Sequence, residues 1–307
     1  MSKSKRAAQG APTPAPRQRR HIFTGADGGP RTGWLLAISL LCYAAVALGA
    51  RLVLGRAFTG LFTAWGIDAA NVHLAPRWAQ LVYAWHGTVI TAVVSLLTLA
   101  LCRCLRRLWR LEGERARFDG RALLASAGAG IAVVLLSAAL SLIPDSSRLA
   151  WPLSAPHLTW SLPVLCAISL LAALAGETFG KAVLYDGIRA RWGGMWATAI
   201  AGVFFLFTGG TMWTGVGIVN GLLLGVLTCL AYRRRGLWAA TGLRWGWSMA
   251  NTFLLGFGGG DASVYRLYGV SEVLMTGGDA GPVNGLWTAL LLAGIVALLF
   301  INQKQAN

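Results

Sequence analysis

Glu177 and Lys181 stand four residues apart in "AGETFGKAVLYDGIRARWGG" (Ala175–Gly194), a stretch that begins inside a long apolar run. Ionised groups at membrane depth are costly and tend to mark function or firm pairing. A carboxylate held there can take a proton from water as a general base, and neighbouring donors can hold the oxyanion that forms when water attacks a carbonyl. The same two charges can instead do no chemistry and pin one helix against another. Few other groups inside apolar runs can join them. Arg244, Ser248 and Asn251 lie in a later run, Thr208 near the end of another, and His86 in an early one. The other three of the four histidines, His21, His73 and His157, fall in the N-terminal tail and in loops.

These groups must be carried by membrane helices. The chain has 307 residues, 56% of them hydrophobic and only 12% charged. Its mean hydropathy is +0.59. Such a composition, broken into repeated long apolar runs, predicts an all-α polytopic helical bundle in a membrane. The formal charge of +16 lies in the tail and in short loops and forms no groove-like domain, so nucleic acid is not an expected partner. The expected partner of those positives is membrane lipid. The five cysteines lie in or at the edges of apolar runs with no zinc spacing, and Cys102-x-Cys104 is too tight for a CxxC clip. Arg far outnumbers Lys, and with the Ala and Gly content this points to a GC-rich bacterial genome and a cytoplasmic (inner) membrane.

Residues 1–32 are basic and rich in Pro, Gly and Ala, the composition of a disordered tail. About eight transmembrane helices follow, at 34–55, 78–102, 122–143, 161–188, 195–212, 214–232, 237–258 and 286–302. Lys and Arg concentrate in alternate loops: "RCLRRLWRLEGERARFDGR" (103–121), Arg189 with Arg191, "RRR" (233–235), and Lys304. The positive-inside rule then predicts that both termini are cytoplasmic. The expected organisation is a tail (1–32), two N-terminal helices with a basic cytoplasmic loop (33–121), and a six-helix core (122–303). Gly217, Gly221 and Gly225, spaced by four, predict a close helix contact. The Gly-rich loop 257–285 is expected to lie on the outer side or to fold back partway. Asp186 and Arg189 are expected to be solvated. Many of the fourteen tryptophans flank the runs, as an interfacial belt does.

Three segments carry a family resemblance. "GETFGKAVLYDGIRARWGGMWATAIAGVFFLF" is similar to a glutamate pair, three residues, an arginine and then an aromatic-rich helix. "VNGLLLGVLTCLAYRRRGLWAATGLRWGWSMA" is similar to a Gly-spaced helix, a basic turn and a closing helix with a histidine and an asparagine four residues on. "LMTGGDAGPVNG" is similar to a Gly-rich loop. In this order, over about 161–300, they resemble the CPBP intramembrane proteases, which include the CAAX prenyl endopeptidases.

The resemblance implies a catalytic set that this chain mostly lacks. The family's first glutamate, its water-activating base, falls on Gly176, and its second falls on Glu177. Its arginine falls on Lys181, which keeps the charge and loses the planar fork. Its Phe-xxx-His motif falls on Phe205 and Gly209. Its last histidine and asparagine fall on Arg244 and Ser248, and a shifted register would use Asn251 but still lacks the histidine. Glu177 is the residual catalytic position, and the others are expected to line the same mid-membrane cavity.

At ~1.5 Å per residue, Glu177, Gly209 and Ser248 lie roughly 18, 21 and 16 Å from the cytoplasmic edge, so three helices bring them to similar depth. Arg244 starts shallower but is long enough to reach Glu177, so Glu177 is expected to pair with Lys181, Arg244 or both. One carboxylate with two cations offers no metal site, and no metal or cofactor is expected. Three functions stay open. The first is a catalytically degenerate protease fold acting as a binding or assembly factor, its partner another membrane protein or a lipid-modified or C-terminally anchored chain. The second is an atypical active endopeptidase in which Glu177 is the base and Ser248, Thr208 or Asn251 holds the oxyanion. Cations beside a carboxylate favour its charged form and weaken it as a base, which places this option second. The third is a transporter or proton relay through Glu177, Lys181, Arg244 and His86. No paired broken helices or internal repeat supports it.

Overall fold

The computed structural model describes residues 31–68, 70–111, 117–142, 147–150, 161–208, 215–257, 266–269, 273–278 and 281–305. Nearly all of the expected tail, Gly209, and parts of the loop 257–285 lie outside them. Each expected apolar run is helical over most of its described residues. The helices are α1 (Thr32–Ala64), α2 (Arg77–Leu108), α3 (Gly120–Leu142), α4 (Ser161–Trp192), α5 (Gly194–Thr208), α6 (Gly215–Arg235), α7 (Leu237–Ser248), α8 (Val273–Thr276) and α9 (Leu286–Gln305).

Among the described residues five of them, α1 to α4 and α6, are long and apolar enough to cross a membrane. The apolar parts of α5 and α9 are shorter, and α7 is α-helical for 12 residues before a π segment at Met249–Leu254. The all-α expectation takes one addition. Ser147–Ala150 (β1) and Arg266–Gly269 (β2) pair antiparallel, with Ser147 opposite Gly269 and Ala150 opposite Arg266.

Sequence chemistry sets the breaks. Pro76 precedes α2, where a missing N–H costs nothing. Gly193 between α4 and α5, and Gly236 between α6 and α7, take φ of +87° and +80°, open to glycine without strain. Arg233, Arg234 and Arg235 fill the last turn of α6, where cations complement the helix dipole.

Glycines decide the closest crossings. A Cβ at Gly242 or Gly246 would collide with the backbone of Leu123 or Ala127, and one at Gly130 with the backbone of α7. This small-residue seam joins α3 to α7. From the expected glycine ladder on α6, Gly225 meets Gly202 of α5, where an added Cβ would lie 2.8 Å from the Gly202 Cα. The described C-terminal end of the Gly-rich loop packs inward. Pro282, Val283 and Asn284 are buried, and Asn220 of α6 donates through Nδ2 to the carbonyls of Val283 and Gly285 at 3.0 Å each. The Thr288 hydroxyl donates to the Pro282 carbonyl of the same turn at 2.6 Å and lies 2.8 Å from the Ser137 hydroxyl.

The N-terminal helices belong to the same core. Leu35 of α1, Cys102 and Leu105 of α2, and Trp109 pack with Phe179, Val183 and Tyr185 of α4 and with Ala197 and Ala201 of α5. Trp109 comes from the Arg-rich segment expected to be a loop, yet it is buried and donates through Nε1 to Ser39 Oγ at 2.8 Å. The Trp109→Phe variant keeps most of the packing and loses that bond. It is expected to cost about 1 kcal/mol, read as a lower unfolding midpoint in detergent. Asp186 departs from its expected solvation. It accepts a hydrogen bond from the Tyr232 hydroxyl at 2.5 Å, joining α4 to α6 at their basic ends.

Candidate functional site

Helix α4 carries Glu177 at the point where its winding changes. The segment Thr178–Tyr185 is a π helix, an insertion often found at functional positions. Glu177 and Lys181 stay on one face despite it. Lys181 Nζ lies 3.7 Å from Glu177 Oε2, and both side chains are 2% exposed.

Arg244 reaches the same carboxylate from α7. Its Nη1 lies 3.3 Å from Glu177 Oε1 and 3.4 Å from the Thr208 hydroxyl, and its Nη2 donates to the Thr208 carbonyl. Its Cζ sits 5.1 Å from the centre of the Phe205 ring. Both expected ion pairs therefore form. One anion is shared by two cations, held across α4, α5 and α7.

Gly176 explains how the guanidinium fits. A Cβ built there would collide with Arg244 Nη1 and would lie 3.0 Å from Cζ and 3.2 Å from Nη2. The planar group occupies the space that any side chain at 176 would need. The bareness of Gly176 and the length of Arg244 are complementary.

A cleft of about 690 Å³ opens beside this cluster. Gly176, Thr208 and Arg244 form part of its wall, with Tyr43 and Arg51 of α1 and Thr98 of α2. Glu177 is not part of that wall. The carboxylate stands behind the guanidinium, so a molecule in the cleft meets a cation first. Tyr43 fixes the floor through ring contacts with Phe179 and Phe204, at 4.4 and 5.1 Å between centroids.

The remaining expected positions lie elsewhere. Ser248 and Asn251 sit at and just inside the start of the π segment of α7 and do not line the cleft. Among the described residues the buried Asn251 side-chain oxygen has no hydrogen-bond partner. Gly209 falls outside the described residues, one position beyond Thr208. His86 sits among aromatic rings instead, 5.4 Å from Phe62 and 5.5 Å from Tyr83 between centroids, and contacts the Tyr83 carbonyl through Nδ1. Among the described residues no three His, Cys, Asp or Glu side chains gather.

Residues 158–250 match the family model described as Type II CAAX prenyl endopeptidase Rce1-like. Over that segment, somewhat under a third of the chain, the protein is similar to the Rce1-like CAAX proteases. No curated protein and no solved structure matches the chain. The Rce1-like segment holds Gly176, Glu177, Lys181, Phe205, Gly209, Arg244 and Ser248, and ends one residue short of Asn251. The α1 and α2 walls of the cleft come from outside it. The match and the five long apolar helices among the described residues together point to an integral membrane protein.

The cleft-lining part of α1 was missed by sequence reasoning. Leu40, Tyr43, Ala44, Ala47, Leu48 and Arg51 recur at three and four residues, one face of a helix. That stripe is apolar apart from the tyrosine hydroxyl and the arginine, so it does not stand out within a helix apolar on all sides.

Proposed function

We propose that this chain is a CAAX-protease-type membrane protein that no longer hydrolyses peptides and serves as a binding or assembly factor. One observation carries the proposal. The guanidinium of Arg244 fills the space beside Gly176 and stands between Glu177 and the cleft. Hydrolysis needs a base that touches water and a donor aimed at the oxyanion. Here the carboxylate is 2% exposed, holds two cations and is screened from the cleft. A lone carboxylate beside two cations also gives a divalent metal no adequate donor set, so the proposed factor uses no metal or cofactor.

Its occupant or partner is drawn from the membrane: a lipid, another membrane protein, or a lipid-modified or C-terminally anchored chain. The proposal includes eight spans with both termini cytoplasmic, in the cytoplasmic membrane of a bacterium, and a core from 122 to 303. Loop charge supports that orientation. Reporter domains fused to each end, assayed for exposure in intact cells, should both report the cytoplasm. One terminus outside would remove an odd number of spans from the scheme.

The functional test is direct. Purified protein in detergent is incubated with candidate membrane-anchored peptides, and products are followed by mass spectrometry. No product is expected that depends on Glu177. Turnover that disappears in Glu177→Gln, in a sample that keeps its unfolding transition, would establish an active endopeptidase.

A further inference from the structure

The cleft beside Arg244 has a second cation and a lateral mouth. Arg51 lines it and is exposed, and among the described residues no carboxylate pairs with it. The mouth is rimmed by Leu40, Leu48 and Phe207, which are 37%, 61% and 68% exposed. In a membrane protein those side chains face hydrocarbon, so the natural entrant is a molecule already in the bilayer. Among the described residues no acidic side chain lines the cleft. Its volume is that of a small-ligand pocket, about 300–1,000 Å³ being usual.

The two arginines lie toward one end. Tyr43 touches Phe204, and Thr208, which holds Arg244, is one turn beyond Phe204. Arg51 is two turns beyond Tyr43 along α1, which in the alternating arrangement runs in the same sense as α5. From Leu40 to Arg51 the α1 stripe extends eleven residues, through a π segment at Ala45–Gly49, at most about 16 Å. An anion at the arginine end would leave that length of mostly apolar wall for a chain.

We propose that the cleft holds one anionic phospholipid, its phosphate near Arg51 and Arg244 and an acyl chain along the Leu40–Leu48 face of α1. Charge complementarity commits the site to an anion, and the apolar mouth commits it to a lipid. This deepens the binding role proposed above. It rests on the cleft being a binding cavity and is independent of whether any hydrolysis remains.

The test uses the full chain, purified in detergent with equimolar phosphatidylglycerol and phosphatidylcholine. Co-purifying lipid is counted by mass spectrometry. Phosphatidylglycerol should be retained ahead of phosphatidylcholine, and Arg51→Gln should weaken that preference about tenfold. Ala47→Trp, which fills the cleft without changing charge, should abolish retention. Arg56→Gln, an exposed cation outside the cleft, should behave as the parent does. Equal retention of both lipids, an equal loss in Arg56→Gln, or full retention in Ala47→Trp would each overturn the site. Recovery of a free fatty acid in place of phospholipid would overturn the choice of lipid. Peptide turnover with lipid still bound would refute only the loss of proteolysis. Absence of lipid with no turnover would refute only the lipid site.

Discussion

Glu177→Ala is expected to destabilise the protein by about 3–5 kcal/mol, because removing one partner of a buried ion cluster strands the others. Lys181 would keep its charge at 1% exposure, and Arg244 would lose its one carboxylate contact among the described residues. The measurement is the unfolding midpoint in a mild detergent, converted through the unfolding slope. Glu177→Gln keeps the shape and an acceptor oxygen for Arg244, so its loss should be smaller. Replacing the cluster together, with Glu177→Leu, Lys181→Met and Arg244→Met, should recover much of the stability, since apolar groups can substitute for a buried ion cluster as a whole. A Glu177→Ala loss below about 1 kcal/mol, the scale of an exposed pair, would mean that the cations already find water.

Gly176→Glu restores the acid that the resemblance assigns to this position, and it should still harm the protein. The new Cβ would overlap a guanidinium anchored on its other sides by Glu177, Thr208 and the Phe205 ring. Overpacking of this kind costs about 1–3 kcal/mol. Adding Arg244→His frees the space and should return most of that loss. Whether the double variant gains any peptide turnover is a separate readout of the same samples. A Gly176→Glu protein as stable as the parent would show that Arg244 readily moves aside.

Much of this site was legible because charge in an apolar run is rare. Glu177 and Lys181 announce themselves by their spacing, and Arg244 follows from side-chain length and helical rise. The glycine at 176 is different. In sequence it reads as the loss of an acid, and only the close approach of Arg244 gives it a positive role. Ser248 shares the expected depth with Glu177 but does not line the cleft, because depth along a helix says nothing about rotation around it. The π segments at Thr178–Tyr185 and Met249–Leu254 alter that rotation, and no residue pattern in "TFGKAVLY" or "MANTFL" signals them.

The fold was legible to a similar degree. Hydropathy marks where the runs are, since lipid demands long apolar helices. It cannot tell that α7 changes winding after 12 residues. Trp109 illustrates the opposite error. Its arginine-rich surroundings suggest a solvated loop, while its indole fills a space beside Ser39 and Gly187 that contacts between distant elements create. The glycine seam between α3 and α7 was likewise hidden, because Gly130, Gly242 and Gly246 lie on different runs and only packing aligns them.

Gly176→Ala, Arg244→Gln and their combination form a double-mutant cycle that asks whether the guanidinium occupies the place of a lost side chain. Unfolding free energies of the four proteins should give a coupling of about 1 kcal/mol or more. Gly176→Ala should be harmful beside Arg244 and close to neutral beside the shorter glutamine side chain of the double variant. Additive effects, within about 0.5 kcal/mol, would contradict it and would leave the cavity open to the chemistry that Glu177 alone can offer.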